Sequence, residues 1–110
     1  MILCQWSCDL PEDLLEEFLN WAEQKLKPFY ELYGARHYAL FMPVEKRYFD
    51  YQTVQGKTRY TEHVSFDSIS DFEKFLERVE KDPSAKRLIE SYERKFHVSS
   101  CSFKIFIQKV

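Results

Sequence analysis

The chain has 110 residues, 45% of them hydrophobic, 31% charged and 17% aromatic, with a formal net charge of −2. That length is one domain, 1–110, able to bury roughly two thirds of its unfolded surface without metal or disulfide staples, and the composition excludes a disordered chain. Acidic and basic residues are interspersed, so no basic footprint points to nucleic acid, and no apolar run is long enough to span a bilayer.

Residues 2–8 (ILCQWSC) read as the first strand, with Ile2, Cys4, Trp6 and Cys8 on one face and Leu3, Gln5 and Ser7 on the other. Met1 leads straight into this strand without a basic or apolar leader, so the expected setting is cytoplasmic. Three cysteines, Cys4, Cys8 and Cys101, are an odd count and are expected as free, buried thiols. On an extended strand Cys4 and Cys8 lie about 13 Å apart, too far to share a metal ion.

Asp9 and Pro11 open a first helix that runs to about Tyr33, with Glu12 and Asp13 in its first turn. Leu15, Phe18, Ala22, Leu26, Phe29 and Tyr33 line one face. Pro28 predicts a kink or break near Lys27, and Gly34 is a natural helix terminator.

Residues 36–42 (RHYALFM) read as strand two, placed at an edge by Pro43. A further β-prone stretch, Arg47 to Val54, leads to a Gln55-Gly56 turn. Strand three, about Lys57 to Phe66, alternates Tyr60, Glu62, Val64 and Phe66 against Thr61, His63 and Ser65. Ser70-Asp71-Phe72-Glu73 reads as a capping box opening a helix with Phe72, Phe75, Leu76 and Val79 on its stripe. Asp82-Pro83 starts a second helical piece with Ala85, Leu88, Ile89, Tyr92 and Phe96 inward, and His97 at its end suits the helix dipole. Strand four, about Val98 to Val110, puts Phe103, Ile105 and Ile107 on one face and Lys104, Phe106 and Gln108 on the other.

This order is the ferredoxin-like β-α-β-β-α-β arrangement, an α+β fold with an antiparallel sheet and both helical arms on one face. The opposite face is expected to carry too much apolar surface to stay wet, and a second copy related by a two-fold axis is the simplest cover. The stretch Gly56 to Pro83, GKTRYTEHVSFDSISDFEKFLERVEKDP, adds a specific resemblance. A polar-alternating strand ends in an aromatic, an Asp-Ser turn follows, and an amphipathic helix closes on Asp-Pro. This resembles the dimeric α+β barrel superfamily, in particular NIPSNAP-like proteins and, less closely, antibiotic-biosynthesis-monooxygenase-like proteins. The resemblance implies a homodimer whose two sheets close into a barrel. It also implies that the Arg47–Val54 stretch is an added arm.

Only two glycines occur, so a phosphate-cradling loop is absent, and neither a nucleophile–histidine set nor converging metal ligands can be read. No cofactor is therefore expected. His63, with Gln5 beside it on strand one, is the candidate catalytic or ligand-binding residue if that face lines the barrel interior. One of His37 and Tyr38 joins them. Read with the faces exchanged, Tyr60 and Glu62 look inward instead, and Glu62 then needs a partner such as Arg47 or Arg59. The expected function is a homodimeric barrel that binds a small apolar or aromatic molecule in its interior. The alternatives are a cofactor-independent monooxygenase or haem-binding enzyme using His63, and a ligand-free structural or regulatory dimer.

Overall fold

The computed structural model describes residues 1–44 and 57–110; the Arg47–Val54 stretch and the Gln55-Gly56 turn lie outside the described residues. A four-stranded antiparallel sheet runs in the order β2-β3-β1-β4, with β1 Ile2–Pro11, β2 His37–Phe41, β3 Lys57–Phe66 and β4 Ser99–Ile107. The central strands β1 and β3 pair over ten residues each, Ile2 against Phe66 through Pro11 against Lys57. Between β1 and β2 lie a 3-10 turn, α1 (Leu15–Trp21), a π-helical turn (Ala22–Leu26) and α2 (Lys27–Leu32); between β3 and β4 lie α3 (Ile69–Lys81) and α4 (Pro83–Phe96).

The alternation of side chains decides which face is dry. Ile2, Cys4 and Cys8 of β1, Tyr60, Val64 and Phe66 of β3 and Tyr38 of β2 are buried beneath the helices. Phe18, Ala22, Leu26 and Phe29 come down onto them from the first helical arm, as do Phe72, Phe75, Ala85 and Phe96 from the second. Phe18 is fully buried, with ring centroids 4.6 Å from Tyr60 and 5.2 Å from Phe96. Tyr60 carries one anomaly: its hydroxyl is buried and meets no hydrogen-bond partner among the described residues.

Helix ends follow local chemistry. The first arm does not break at Pro28. It widens into the π-helical turn one turn earlier and resumes with proline in the opening positions of α2, where no N–H is needed. It stops at Gly34, whose φ is +117°, with Ala35 N–H donating to Tyr30 O and Gly34 N–H to Glu31 O in a Schellman arrangement. The capping box of α3 belongs to Ser68, not Ser70: Asp71 N–H donates to Ser68 Oγ, and Ser68 Oγ–H donates to the Asp71 carboxylate. Ser70 fits the same pattern two residues late, but the turn after Phe66 is shorter than the sequence implies. Asp82 caps α4 through Ser84 N–H, and His97 ends it in the left-handed region at φ 50°.

Two expectations are corrected. The cysteines are not all free: Cys8 and Cys101 form a disulfide between β1 and β4, and Cys4 alone remains a buried thiol. A bulge causes this. Ser7 faces Ser102 but Asp9 faces Ser99, so β4 carries an extra residue opposite Cys8, where Ser100 takes a φ of 50°. The two Cα atoms stand 4.2 Å apart there. The open face is also less apolar than expected. It presents Leu3, Phe41 and Phe106, but also Gln5, Ser7, Asp9, Arg59, Thr61, His63 and Lys104.

Candidate functional site

Four residues form one row across the helix-covered face: Leu40, Glu62, Trp6 and Phe103, each opposite the next in the strand register. Glu62 is the anomaly in it. The strand period that buries Tyr60, Val64 and Phe66 carries Glu62 inside with them, to 3% exposure. Its partner is Tyr38, whose hydroxyl donates to Oε2 at 2.9 Å from one strand over. Neither arginine considered from the sequence is described there. Arg59 points to the open face, where it pairs with Asp9 at 2.9 Å, and Arg47 lies outside the described residues.

Burial dominates the electrostatics. It pushes the Glu62 carboxyl up to about 7, against the Tyr38 hydrogen bond, which favours the carboxylate. The phenols of Tyr38 and Tyr30 are pushed far above their ordinary range, first by burial and then by the negative charge of Glu62. Tyr92 is raised by burial and by Glu93. The Cys4 thiol rises to about 11 through burial, which makes it unreactive.

Glu62 lies at the floor of a cavity of about 310 Å³ between sheet and helices. Trp6 and Cys8 share the floor; Leu26, Phe29 and Tyr30 form one wall, Phe75 and Tyr92 another. Leu76, Ile89, Glu93 and Cys101, all exposed, stand at the mouth. The aromatic walls are interlocked: Tyr30 stacks on Tyr38 at 5.1 Å and on Phe75 at 5.6 Å, and Trp6 lies 4.6 Å from Phe103. A space of this size, mostly apolar with a buried carboxyl among its described lining residues, suits a ligand of one or two rings.

The residues singled out in the sequence separate onto two faces. Gln5 and His63 are direct cross-strand partners on the open face, with Phe41 4.7 Å from the His63 ring. His37 opens β2 on that same face and is exposed. Tyr38 alone turns to the helix side, where it holds Glu62 and lines a shallower depression with Ala22, Lys27 and Leu40. Sequence reasoning did not single out Trp6, Tyr30 and Tyr92 as wall residues. The available signal was a lone carboxylate among apolar neighbours of the same strand parity. Among the described residues, no three His, Cys, Asp or Glu side chains converge as metal ligands.

With this geometry established, the fold can be set beside known proteins. A NIPSNAP domain protein from Burkholderia xenovorans superposes with a TM-score of 0.72 at 14% identity, covering 100% of this chain and 96% of its own. The chain shares the ferredoxin-like α+β fold of such proteins. An antibiotic biosynthesis monooxygenase-like protein from Deinococcus radiodurans gives 0.68 at 8% identity, over 100% and 94% of the two chains. A dimeric ferredoxin-like protein from an uncultured marine organism gives 0.66 at 15%, over 100% and 96%. No family model and no curated protein sequence matches. These identities establish fold, and a fold of this kind hosts unrelated chemistries.

Proposed function

We propose that the protein is a homodimer closed sheet to sheet, and that each protomer takes up a small apolar or aromatic molecule between its own helices and sheet. This moves the ligand from the space between the two sheets to the cavity above Glu62. Gln5, His37 and His63 become interface residues, and Tyr38 stays at the binding site through its contact with Glu62. The observation that carries the reading is the cavity itself, open at one end and walled by Trp6, Phe29, Tyr30, Phe75 and Tyr92.

The dimer rests on two supports. Leu3, Phe41 and Phe106 share the open face with hydrogen-bonding groups, a mixture that suits a self-complementary two-fold contact. The marine neighbour of the same fold is described as dimeric.

Sedimentation velocity tests the assembly: twice 13.4 kDa is expected at micromolar concentration. Thr61→Arg, which sets an unpaired charge in the middle of the face, should give a folded monomer. A wild-type chain that stays monomeric at high concentration would remove the dimer. Binding is tested by titrating indole derivatives, with Val79→Trp, which fills the cavity from α3, expected to abolish uptake. Undiminished binding to that variant would remove the cavity as the site.

A further inference from the structure

We infer that the molecule held in this cavity is an organic cation, an arylalkyl ammonium whose ring lies between Trp6, Tyr30 and Tyr92 and whose charged end meets Glu62. The inference rests on the proposed cavity function and names the ligand class for it.

Charge is the first argument. Among the described lining residues two are ionisable acids, Glu62 at the floor and Glu93 at the mouth, and none is a lysine or arginine. A carboxylate at 3% exposure is costly to ionise without a positive partner, and one phenol hydrogen bond compensates it only in part. Within the described structure that positive partner is missing from every wall. From β2 the groups facing Glu62 are Tyr38 and Leu40; from β1, Trp6; from α2, Tyr30; from α4, Tyr92, with Glu93 beyond it. From α3 the cavity receives only Phe75, Leu76 and Val79. A ligand that brings its own positive charge completes the site, whereas an anion meets two carboxylates.

The walls make the second argument. Trp and Tyr rings attract cations at their faces, most strongly where water is excluded. Tyr30 and Trp6 lie 5.9 Å apart, and Tyr92 lines the same cavity. Their phenols stay neutral, so the rings act only as surfaces. Glu93 at the mouth favours the approach of cations from solvent. Burial raises the carboxyl of Glu62 to about 7. An ammonium group would draw it down to the ionised state and expel its proton.

Calorimetric titration of the full chain at pH 8 with tryptamine, tryptophol and indole-3-propionate decides the point. These three share one ring system and differ in the charge of the tail. Tryptamine is expected to bind about tenfold more tightly than tryptophol, and indole-3-propionate not at all. Glu62→Gln should bring tryptamine down to the affinity of tryptophol. Should that variant not fold, the wild-type protein supplies a second readout. Between pH 6 and 7, tryptamine binding should release protons, detected by comparing buffers of different ionisation enthalpy, and tryptophol binding should not. Tryptophol binding as tightly as tryptamine, or tryptamine binding without proton release, overturns the cation while leaving the cavity function intact. Failure of all three to bind overturns both.

Discussion

The two faces of the sheet are built from the same strands and differ by one residue in phase. On the covered face, Cys4, Tyr60, Val64 and Phe66 are fully buried and packed by aromatic rings from both helical arms. On the open face, Gln5, Thr61, His63 and Lys104 stand in rows between Leu3, Phe41 and Phe106. The first face is specified by volume and tolerates polarity at few points, Glu62 chief among them. The second is specified by hydrogen bonding, as in the Ser7–Thr61 contact of 3.0 Å, and its apolar residues are scattered. Polarity is therefore informative on the covered face, where each polar atom must be accounted for, and uninformative on the open one.

The largest expected effect comes from breaking the covered face at its centre. Phe18→Ala removes a fully buried ring that touches Tyr60, Tyr92 and Phe96. Urea denaturation should show a loss of about 3–5 kcal/mol. A loss below about 1 kcal/mol would mean that this core is not packed as described. Thr61→Arg, one residue from Tyr60 in the sequence but on the other face, should change the monomer's stability by less than about 1 kcal/mol.

The contrast sharpens with pH. Glu62 titrates at about 7 when folded, against 4.5 for an ordinary glutamate. The folded state therefore holds a proton that the unfolded chain has released, so stability falls as pH rises from about 4.5 to about 7, then levels off. The two pKa values imply on the order of 3 kcal/mol over that interval. Stability curves of wild type and Glu62→Gln should diverge by that amount above pH 7 and converge near pH 4, the variant being the more stable at alkaline pH. Parallel curves would show that Glu62 is solvated or paired with a cation.

Much of this architecture is legible in the sequence, and the legible parts share a cause. Period-two alternation fixes β1 and β3, Pro28 and Gly34 mark the strain and the end of the first helical arm, and Asp82-Pro83 marks the start of α4. Each of these is local. The direct pairing of Gln5 with His63 also follows once the strand order is known. The cavity was not legible as the preferred site, because strand alternation defines two faces without saying which one the helices cover. His63 drew attention by its chemistry, and Glu62, adjacent in sequence, is the residue that the helices cover. The disulfide was hidden for another reason. It depends on an extra residue in β4, a bulge that no glycine or proline announces.

Tyr60 offers a smaller test with the opposite sign. Its hydroxyl is buried without a partner among the described residues, while its ring is fully packed. Tyr60→Phe keeps the ring and removes the orphaned group, so it should raise stability by about 1 kcal/mol. A loss of similar size would show that the hydroxyl is bonded after all, by bound water or by a change in the strand.

Arg59 gives the least effect in the isolated protomer and the finest measure of the open face. Its guanidinium donates to Asp9, to the carbonyls of Ser7 and Ser100 and to Ser102 Oγ, clasping the β4 bulge. Its side chain is 41% exposed, so solvent screens the pair with Asp9. Arg59→Ala should then lower protomer stability by at most about 1 kcal/mol in dilute solution, with the deficit shrinking in high salt. If a second copy covers this face, the same clasp is desolvated in the dimer, and removing the arginine leaves Asp9 buried and unpaired there. The deficit should therefore grow with protein concentration. A deficit independent of concentration, in a chain that sediments as a dimer, would place Arg59 outside the contact and shift the interface toward β2.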